Sequence, residues 1–211
     1  ICTAVNGVGT ANIVRAALEV NAKLVYISTD YVFPGTGTTP WKEEDAYGPQ
    51  NVYGLSKVQG ETAVRSMMTR YFLLRTSWVF GKNGSNFVRT MLRLGAEKPE
   101  LRVVDDQIGS PTYSLDLAQV ICDLIRTDAY GIYHVRNEGF LSWAAFARMI
   151  MDARHLPCRI IPVSTEDYGA PAKRPLNSRL DGSKLIRAGF GPLPTVQDAL
   201  QRYLEEFPFE V

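Results

Sequence analysis

Two hydrophobic periodicities alternate along this chain. Apolar residues three or four positions apart predict helices, and short continuous apolar runs predict buried strands. The helical pattern covers Val5 to Val20, Val52 to Met68, Asn86 to Gly95, Ser114 to Arg126, Ser142 to Ala153 and a last helix from Thr195. The strand pattern covers Leu24 to Ser28, Tyr71 to Gly81, Leu101 to Val104, Ile132 to Val135 and Arg159 to Val163.

Strands separated by helices of this length indicate βαβ units, and therefore an α/β protein with a parallel sheet covered on both faces. The stretch from Pro157 to Pro194 differs, because it holds several prolines, little periodicity and the basic cluster "PAKRPLNSRL". We expect it to form part of a smaller lobe over the carboxyl edge of the sheet, where open α/β folds bind ligands.

Net charge and cysteine content limit which classes of binding partner and which cellular setting are expected. The formal charge of the 211 residues is +1, so no electrostatic footprint for nucleic acid or an anionic membrane is present and small molecules or proteins are expected. The three cysteines are odd in number and far apart, which predicts neither a disulfide framework nor a zinc site and favours a reduced, cytoplasmic setting. No apolar run approaches the ~20 residues that span a bilayer.

Candidate chemistry lies in "ISTDYVFPGTG" and "NVYGLSKVQGE". Tyr53 and Lys57 are four apart, on one helical face, where an ammonium would favour ionisation of the phenol. Thr29, at the end of a predicted strand, could donate to the same carbonyl oxygen that Tyr53 protonates. A tyrosine and lysine at this spacing are more often a core aromatic beside a solvated charge, and a strand-end hydroxyl often bonds its own turn. The order of strand, hydroxyl, loop and Tyr/Lys helix favours the catalytic interpretation.

The segment from Ala4 to Glu61, together with "RTSWVFG", "NFVRTMLRL", "DDQIGSPT" and "RPLNSRLD", resembles the extended short-chain dehydrogenase/reductases. Within that superfamily, the sequence is similar to the branch that reduces dTDP-4-dehydro-L-rhamnose. The resemblance implies a Rossmann-like doubly wound parallel sheet with a smaller C-terminal substrate-binding lobe. It also implies reduction of the sugar's 4-keto group to give dTDP-L-rhamnose, with NADPH or NADH as the hydride donor and a nucleotide sugar as the partner.

The resemblance places site residues at matching positions of this sequence. Thr29 polarises the carbonyl, Tyr53 donates the proton, and Lys57 lowers the pKa of Tyr53 and binds the nicotinamide ribose. The implied cofactor-binding residues are Ser28, Tyr53 and Lys57. The implied substrate-binding residues are Asp30, Tyr31, Trp78, Asn86, Phe87, Gln107 and Arg174. Trp78 and Phe87 could equally be core aromatics, whereas an arginine between prolines would suit a diphosphate.

The same resemblance divides the chain into units. Residues 1–80 and 113–156 correspond to the later part of the dinucleotide-binding domain, 81–112 and 157–194 to the substrate-binding lobe, and 195–211 to a C-terminal helix. The glycine-rich dinucleotide fingerprint is not found, since "GVGTAN" lacks the third glycine and follows no strand. We therefore expect the phosphate loop and the N-terminal strands of the sheet to lie before Ile1.

Several alternatives stay open at this point. Some members dimerise through magnesium held by acidic residues after "GSPT"; here Tyr113, Ser114 and Leu115 follow, so we expect no metal, and a homodimer stays open. A dehydratase would need glutamate at Tyr31, which disfavours dehydration. A regulatory subunit on the same scaffold, like the methionine adenosyltransferase beta subunit, a related epimerase, or an inert fragment are further alternatives. His134 is expected to be a structural residue.

Overall fold

The computed structural model describes residues 1–170 and 172–207. Thr3–Gly9 winds as a π-helix that continues into the first α-helix. The α-helices are α1 Thr10–Glu19, α2 Val52–Met67, α3 Phe87–Glu97, α4 Ser114–Leu124, α5 Trp143–Ala153, α6 Thr165–Tyr168, α7 Ser183–Arg187 and α8 Val196–Glu206. The strands are β1 Leu24–Thr29, β2 Tyr71–Thr76, β3 Val79–Phe80, β4 Glu100–Val104, β5 Ile108–Gly109, β6 Thr112–Tyr113, β7 Gly131–His134, β8 Leu141–Ser142, β9 Arg159–Val163 and β10 Asn177–Ser178.

The central sheet is parallel and has the order β1-β2-β7. Its middle strand, β2, buries Phe72, Leu73 and Leu74 completely. Side chains of α1 and α2 pack on Leu73 from one face, and those of α4 and α7 pack on Phe72 and Leu74 from the other. The predicted α/β fold, a parallel sheet covered on both faces, is confirmed.

A second hydrophobic core lies around the parallel pair β4 and β9. Helices α3, α5 and α8 pack against this pair or one another and contribute Val88, Ile150 and Tyr203 to the core. Helix α5 therefore packs with the elements that the sequence assigned to the lobe, although it lies within the stretch 113–156 assigned to the dinucleotide-binding domain. The division into units stays a prediction, and this packing favours placing α5 in the lobe.

The predicted strand from Tyr71 to Gly81 is wrong in one respect, because the structure divides it into β2 and β3. The break lies at Ser77 and Trp78, where Trp78 has a φ of 50°, in the left-handed region that bulky residues rarely adopt. The hydroxyl of Ser77 donates to the main-chain oxygen of Ser110 at 2.8 Å. The chain thus leaves the central sheet, and β3 pairs with β6 instead.

The end of the chain is described as far as Phe207. Thr195 caps α8 by accepting a hydrogen bond from the N–H of Asp198, as the "TVQD" start predicts. Residues 208–211 of the predicted C-terminal helix, and residue 171 of the predicted lobe, lie outside the described residues. No helix in the described ranges is long and apolar enough to cross a membrane.

Candidate active site

Polar side chains converge at the carboxyl end of β1. Ser28 and Thr29 are the last two residues of the strand, and both are buried. A single 3-10 turn, Asp30–Val32, follows. The hydroxyl of Thr29 accepts a hydrogen bond from the N–H of Tyr31 at 3.3 Å and donates to Oδ1 of Asp30 at 3.1 Å. The alternative interpretation, in which a strand-end hydroxyl bonds its own turn, is therefore correct in part, because Thr29 caps the turn that follows it.

Tyr53 lies in the first turn of α2 and faces the same point. Its side chain lies near that of Thr29, and 43% of the residue remains exposed. Burial raises the pKa of Tyr53, the nearby Thr29 hydroxyl lowers it less strongly, and the charge of Asp30 raises it further. The phenol therefore stays protonated at neutral pH, which suits a proton donor.

Lys57 lies one turn after Tyr53, but its ammonium is held elsewhere. Nζ donates to the main-chain oxygen of Ile27 at 2.6 Å and lies 4.2 Å from the centre of the Tyr26 ring. Burial lowers the pKa of Lys57. Lys57 is not among the groups that shift the pKa of Tyr53, which burial raises, so the predicted lowering of that pKa by Lys57 stays a prediction. Binding of a ribose by Lys57 stays a prediction.

Asp30 is a buried carboxyl group with one free oxygen. Only 2% of the residue is exposed, and Oδ2 has no hydrogen-bond partner. Burial raises the pKa of Asp30 to about 6, against smaller lowering effects of the nearby Ser178 and Thr29 hydroxyls. Buried polar atoms are nearly always partnered. The free oxygen is therefore suited to a ligand hydroxyl, as predicted for the sugar site.

The hydroxyl of Ser28 points away from this cluster. It donates to Oε1 of Glu61, on α2, at 2.5 Å. Glu61 in turn pairs with Arg75 of β2 and accepts a hydrogen bond from the Tyr47 hydroxyl at 2.6 Å. This buried network joins β1, β2 and α2 beneath the cluster. A cofactor contact at Ser28, which stays a prediction, would have to come from its main chain.

A cavity of about 350 Å³ lies between α3, β4 and the segment after α6. Three predicted binding residues, Phe87, Gln107 and Arg174, line it. Gln107 is buried, and its Nε2 donates to Thr165 at 3.0 Å. The cavity residues that the sequence did not indicate are Thr90, Met91, Leu94, Arg102, Val103, Val104, Trp143, Thr165, Tyr168 and Ala170.

Trp78 packs against the wall of the cavity. Its ring stacks on that of Trp143 with centroids 3.6 Å apart and an interplanar angle of 13°. Trp143 lies on the cavity wall beside Phe87, whose ring centre is 4.5 Å away. A side-chain atom at Gly109 would come within 2.8 Å of the Trp78 ring, so the stack needs glycine there. No local pattern around Trp143 indicates this role, because the stack joins residues 65 positions apart in the chain.

Arg174 and Tyr31 relate the cavity to the cluster. The Tyr31 ring meets the Tyr53 ring edge-on at 5.7 Å. Burial raises the pKa of Tyr31, and the charge of Arg174 lowers it less strongly, which places the guanidinium near the cluster. Thr29, Asp30, Tyr31 and Tyr53 thus lie together in the cluster, and Phe87, Gln107 and Arg174 line the cavity. Trp78 adjoins the cavity through Trp143, and Lys57 is held at the Ile27 oxygen. That these groups form one binding site stays a prediction.

Asn86 is not among the residues that line the cavity. Its Oδ1 caps α3 by accepting from the N–H of Arg89 at 3.0 Å, and its Nδ2 donates to the Gly81 oxygen at 2.8 Å. The side chain is thus committed to the fold, and the predicted binding of substrate by Asn86 gains no support from this geometry. His134 is buried, as expected of a structural residue, although its Nδ1 has no partner.

Within residues 1–170 and 172–207, no three His, Cys, Asp or Glu side chains are grouped so that they could hold a metal ion. The expected absence of a bound metal stays a prediction.

Comparisons with known proteins show which family this chain resembles. A family model described as "RmlD substrate binding domain" matches residues 2–209. The spore coat polysaccharide biosynthesis protein SpsK of Bacillus subtilis is 45% identical over 202 residues, which cover 96% of this chain and 71% of that protein. The dTDP-4-dehydrorhamnose reductase of Escherichia coli is 38% identical over 213 residues, covering 96% and 71%.

Solved structures give the same result. The dTDP-4-dehydrorhamnose reductase of Bacillus anthracis, in complex with NADP, superposes with a TM-score of 0.93 at 46% identity, covering 95% of this chain and 72% of that one. A dTDP-glucose 4,6-dehydratase of the same organism, in complex with NAD, has a TM-score of 0.81 at 16% identity, covering 98% and 68%. That second likeness is one of fold alone.

Proposed function

We propose, because this chain belongs to the RmlD substrate binding domain family, that it reduces the 4-keto group of dTDP-4-dehydro-L-rhamnose to give dTDP-L-rhamnose, with NADPH or NADH as the reductant. The observation that carries the proposal is that Tyr53, in the first turn of α2, lies near Thr29 at the carboxyl end of β1. Relatives named dTDP-4-dehydrorhamnose reductase support it, at 38–46% identity.

The cofactor fits the residues that are present. Lys57 and the partly exposed Tyr53 and Ile27 form an open face at the carboxyl edge of the sheet, where α/β folds bind dinucleotides. A bound nicotinamide would supply the hydride for the carbonyl carbon. Lys57 would hold its ribose, after releasing the Ile27 oxygen or while sharing its three donors between the two.

Residues of this chain protonate and stabilise the carbonyl oxygen of the substrate. Tyr53, kept protonated by burial, gives its proton to the carbonyl oxygen as negative charge develops there. Thr29 stabilises the same oxygen with its hydroxyl. A hydroxyl has one proton, so Thr29 must release Asp30 to do this. The protonated form of Asp30 could donate to Thr29 instead and free that proton.

The nucleotide part of the substrate would occupy the cavity. Trp143 and Phe87 offer aromatic faces to a base, Gln107 offers an amide, and Arg174 offers the fork of donors that suits a diphosphate. Trp78 and Asp30 would contact the sugar between the cavity and Tyr53. A homodimer and a cytoplasmic location are part of the same proposal, and gel filtration and cell fractionation test them.

The test uses the full-length protein with dTDP-4-dehydro-L-rhamnose and NADPH or NADH, followed by nicotinamide absorbance. We expect oxidation coupled to the formation of dTDP-L-rhamnose, and a loss of at least about 100-fold in kcat for Tyr53→Phe. Tyr71→Phe is the matched control, because Tyr71 lies in the same sheet but outside the site. No oxidation above background, or unchanged oxidation in Tyr53→Phe, contradicts the proposal.

A further inference from the structure

The side chain of Asn51 joins two parts of the site that are 122 residues apart in sequence. Its Oδ1 accepts a hydrogen bond from the N–H of Gly54 at 2.8 Å, which caps α2. Its Nδ2 donates to the main-chain oxygen of Lys173 at 3.2 Å. The oxygen of this amide therefore bonds the helix that carries Tyr53, and its nitrogen bonds the residue before Arg174.

The segment 172–175 on the cavity wall has few other attachments. It comes after Gly169, which ends α6 with a φ of 66°. It ends where the N–H of Leu176 donates to the Gly35 oxygen at 3.0 Å. Within the described part of the chain, the hydrogen bond from Asn51 is the one that reaches this segment. Without that bond, the segment would be fixed at its far end by packing and hydrogen bonding around Gly35 alone.

The end of α2 that Asn51 caps also carries Tyr53, the candidate acid. Gly54 follows Tyr53, and a side-chain atom at Gly54 would lie 2.2 Å from the main-chain oxygen of Tyr31, so the first turn of α2 packs directly on Tyr31. The Tyr31 ring in turn contacts the Tyr53 ring, and the charge of Arg174 lowers the pKa of Tyr31 against the larger effect of burial. The acid, the turn that positions it and the cavity arginine therefore form one connected unit.

We propose that Asn51 is a positioning residue that holds Arg174 at a fixed separation from Tyr53, so that a diphosphate on Arg174 places the keto sugar at the acid. The proposal rests on the proposed function, because it takes a nucleotide sugar as the ligand that spans the two groups. A segment ordered in advance spares the ligand the cost of ordering it, which improves affinity without touching the ligand.

Asn51→Asp separates the two roles of the side chain. A carboxylate still accepts from the N–H of Gly54 and is an equally good cap, but it cannot donate to the Lys173 oxygen. We expect KM for the nucleotide sugar to rise about five-fold, kcat to stay within about two-fold, and the melting temperature not to fall. Asn51→Ala loses the cap as well, so it should lower the melting temperature in addition.

The role of Arg174 is tested by a double-mutant cycle. If Asn51 acts through Arg174, Asn51→Asp has little further effect on KM, or on the affinity for dTDP measured by calorimetry, once Arg174→Ala is present. An equal effect of Asn51→Asp in both backgrounds overturns the proposal. The dTDP measurement needs no turnover, so it still decides the question if the protein fails to reduce the sugar.

Limited proteolysis tests the tether without any ligand. Trypsin cleavage after Lys173 should be about five-fold faster in Asn51→Asp than in the wild type, because the segment opens more often. Cleavage after Lys82, an exposed reference site away from the tether, should not change. Equal cleavage after Lys173 in the two proteins contradicts the tether, whereas failed sugar reduction with faster cleavage contradicts only the proposed function.

Discussion

Glu61 and Arg75 form a two-point ion pair that is closed to solvent, with Nε and Oε1 2.9 Å apart and Nη2 and Oε2 2.6 Å apart. The side chains are 0% and 1% exposed. The same carboxylate accepts the hydroxyl of Ser28, the residue before Thr29. The pair therefore fixes the end of β1, the middle of α2 and β2 in one arrangement, directly under the candidate acid.

Breaking this pair should be costly. Glu61→Gln keeps the shape but leaves the Arg75 charge buried without a counter-charge, so we expect a loss of about 3 kcal/mol in the free energy of unfolding. Glu97→Gln is the control, because Glu97 pairs with Arg93 on the surface, where both are more than half exposed, and should cost under about 1 kcal/mol. Urea unfolding measures both, and equal losses contradict the prediction.

The hydroxyl of Thr29 should matter for the chemistry more than for the fold. Thr29→Val has the same shape without a donor, and we expect kcat to fall about 100-fold with a smaller change in KM. Thr29→Ser restores the donor and should recover most of the activity. Steady-state kinetics of the two variants check this. A serine variant as poor as the valine variant would assign Thr29 to packing instead.

The stacked pair Trp78 and Trp143 should contribute to nucleotide binding. Trp143→Leu removes the aromatic wall of the cavity and the partner that supports Trp78, so we expect the affinity for dTDP to fall about five-fold. Phe140→Leu, on the surface away from the cavity, is the control and should bind as the wild type does. Calorimetric titration with dTDP compares them, and equal affinities would remove Trp143 from the site.

Buried His134 should make stability depend on pH. Burial, and less strongly the charge of Arg75, hold the pKa of His134 well below its usual value. Below pH ~6.5 the unfolded chain binds a proton at this residue that the folded chain does not, so stability falls as the pH falls. Relative to His134→Phe, the wild type should lose about 1.4 kcal/mol per pH unit between pH ~6 and ~5. Urea unfolding at several pH values tests this, and parallel curves for the two proteins refute it.

The sequence by itself determined the helices and strands of the central sheet and the spacing of Tyr53 and Lys57. These features depend on local periodicity and on neighbours within one or two turns, which the order of residues fixes directly. Predicted and observed bounds of α2, β1 and β9 differ by at most one residue. The Rossmann-like fold and most of the site residues came from several motifs in order, read as a resemblance.

Only the tertiary structure decided which strands share a sheet and which groups each charged side chain contacts. The division of β2 from β3 at Trp78, the packing of α5 against β4 and β9, and the cavity wall at Trp143 all depend on contacts between distant segments. Burial, likewise a property of the whole fold, is the main cause of the upward shift of the Tyr53 pKa. Local patterns carry no information on such contacts, because the same residue can face a core, a ligand or a partner side chain according to what packs against it.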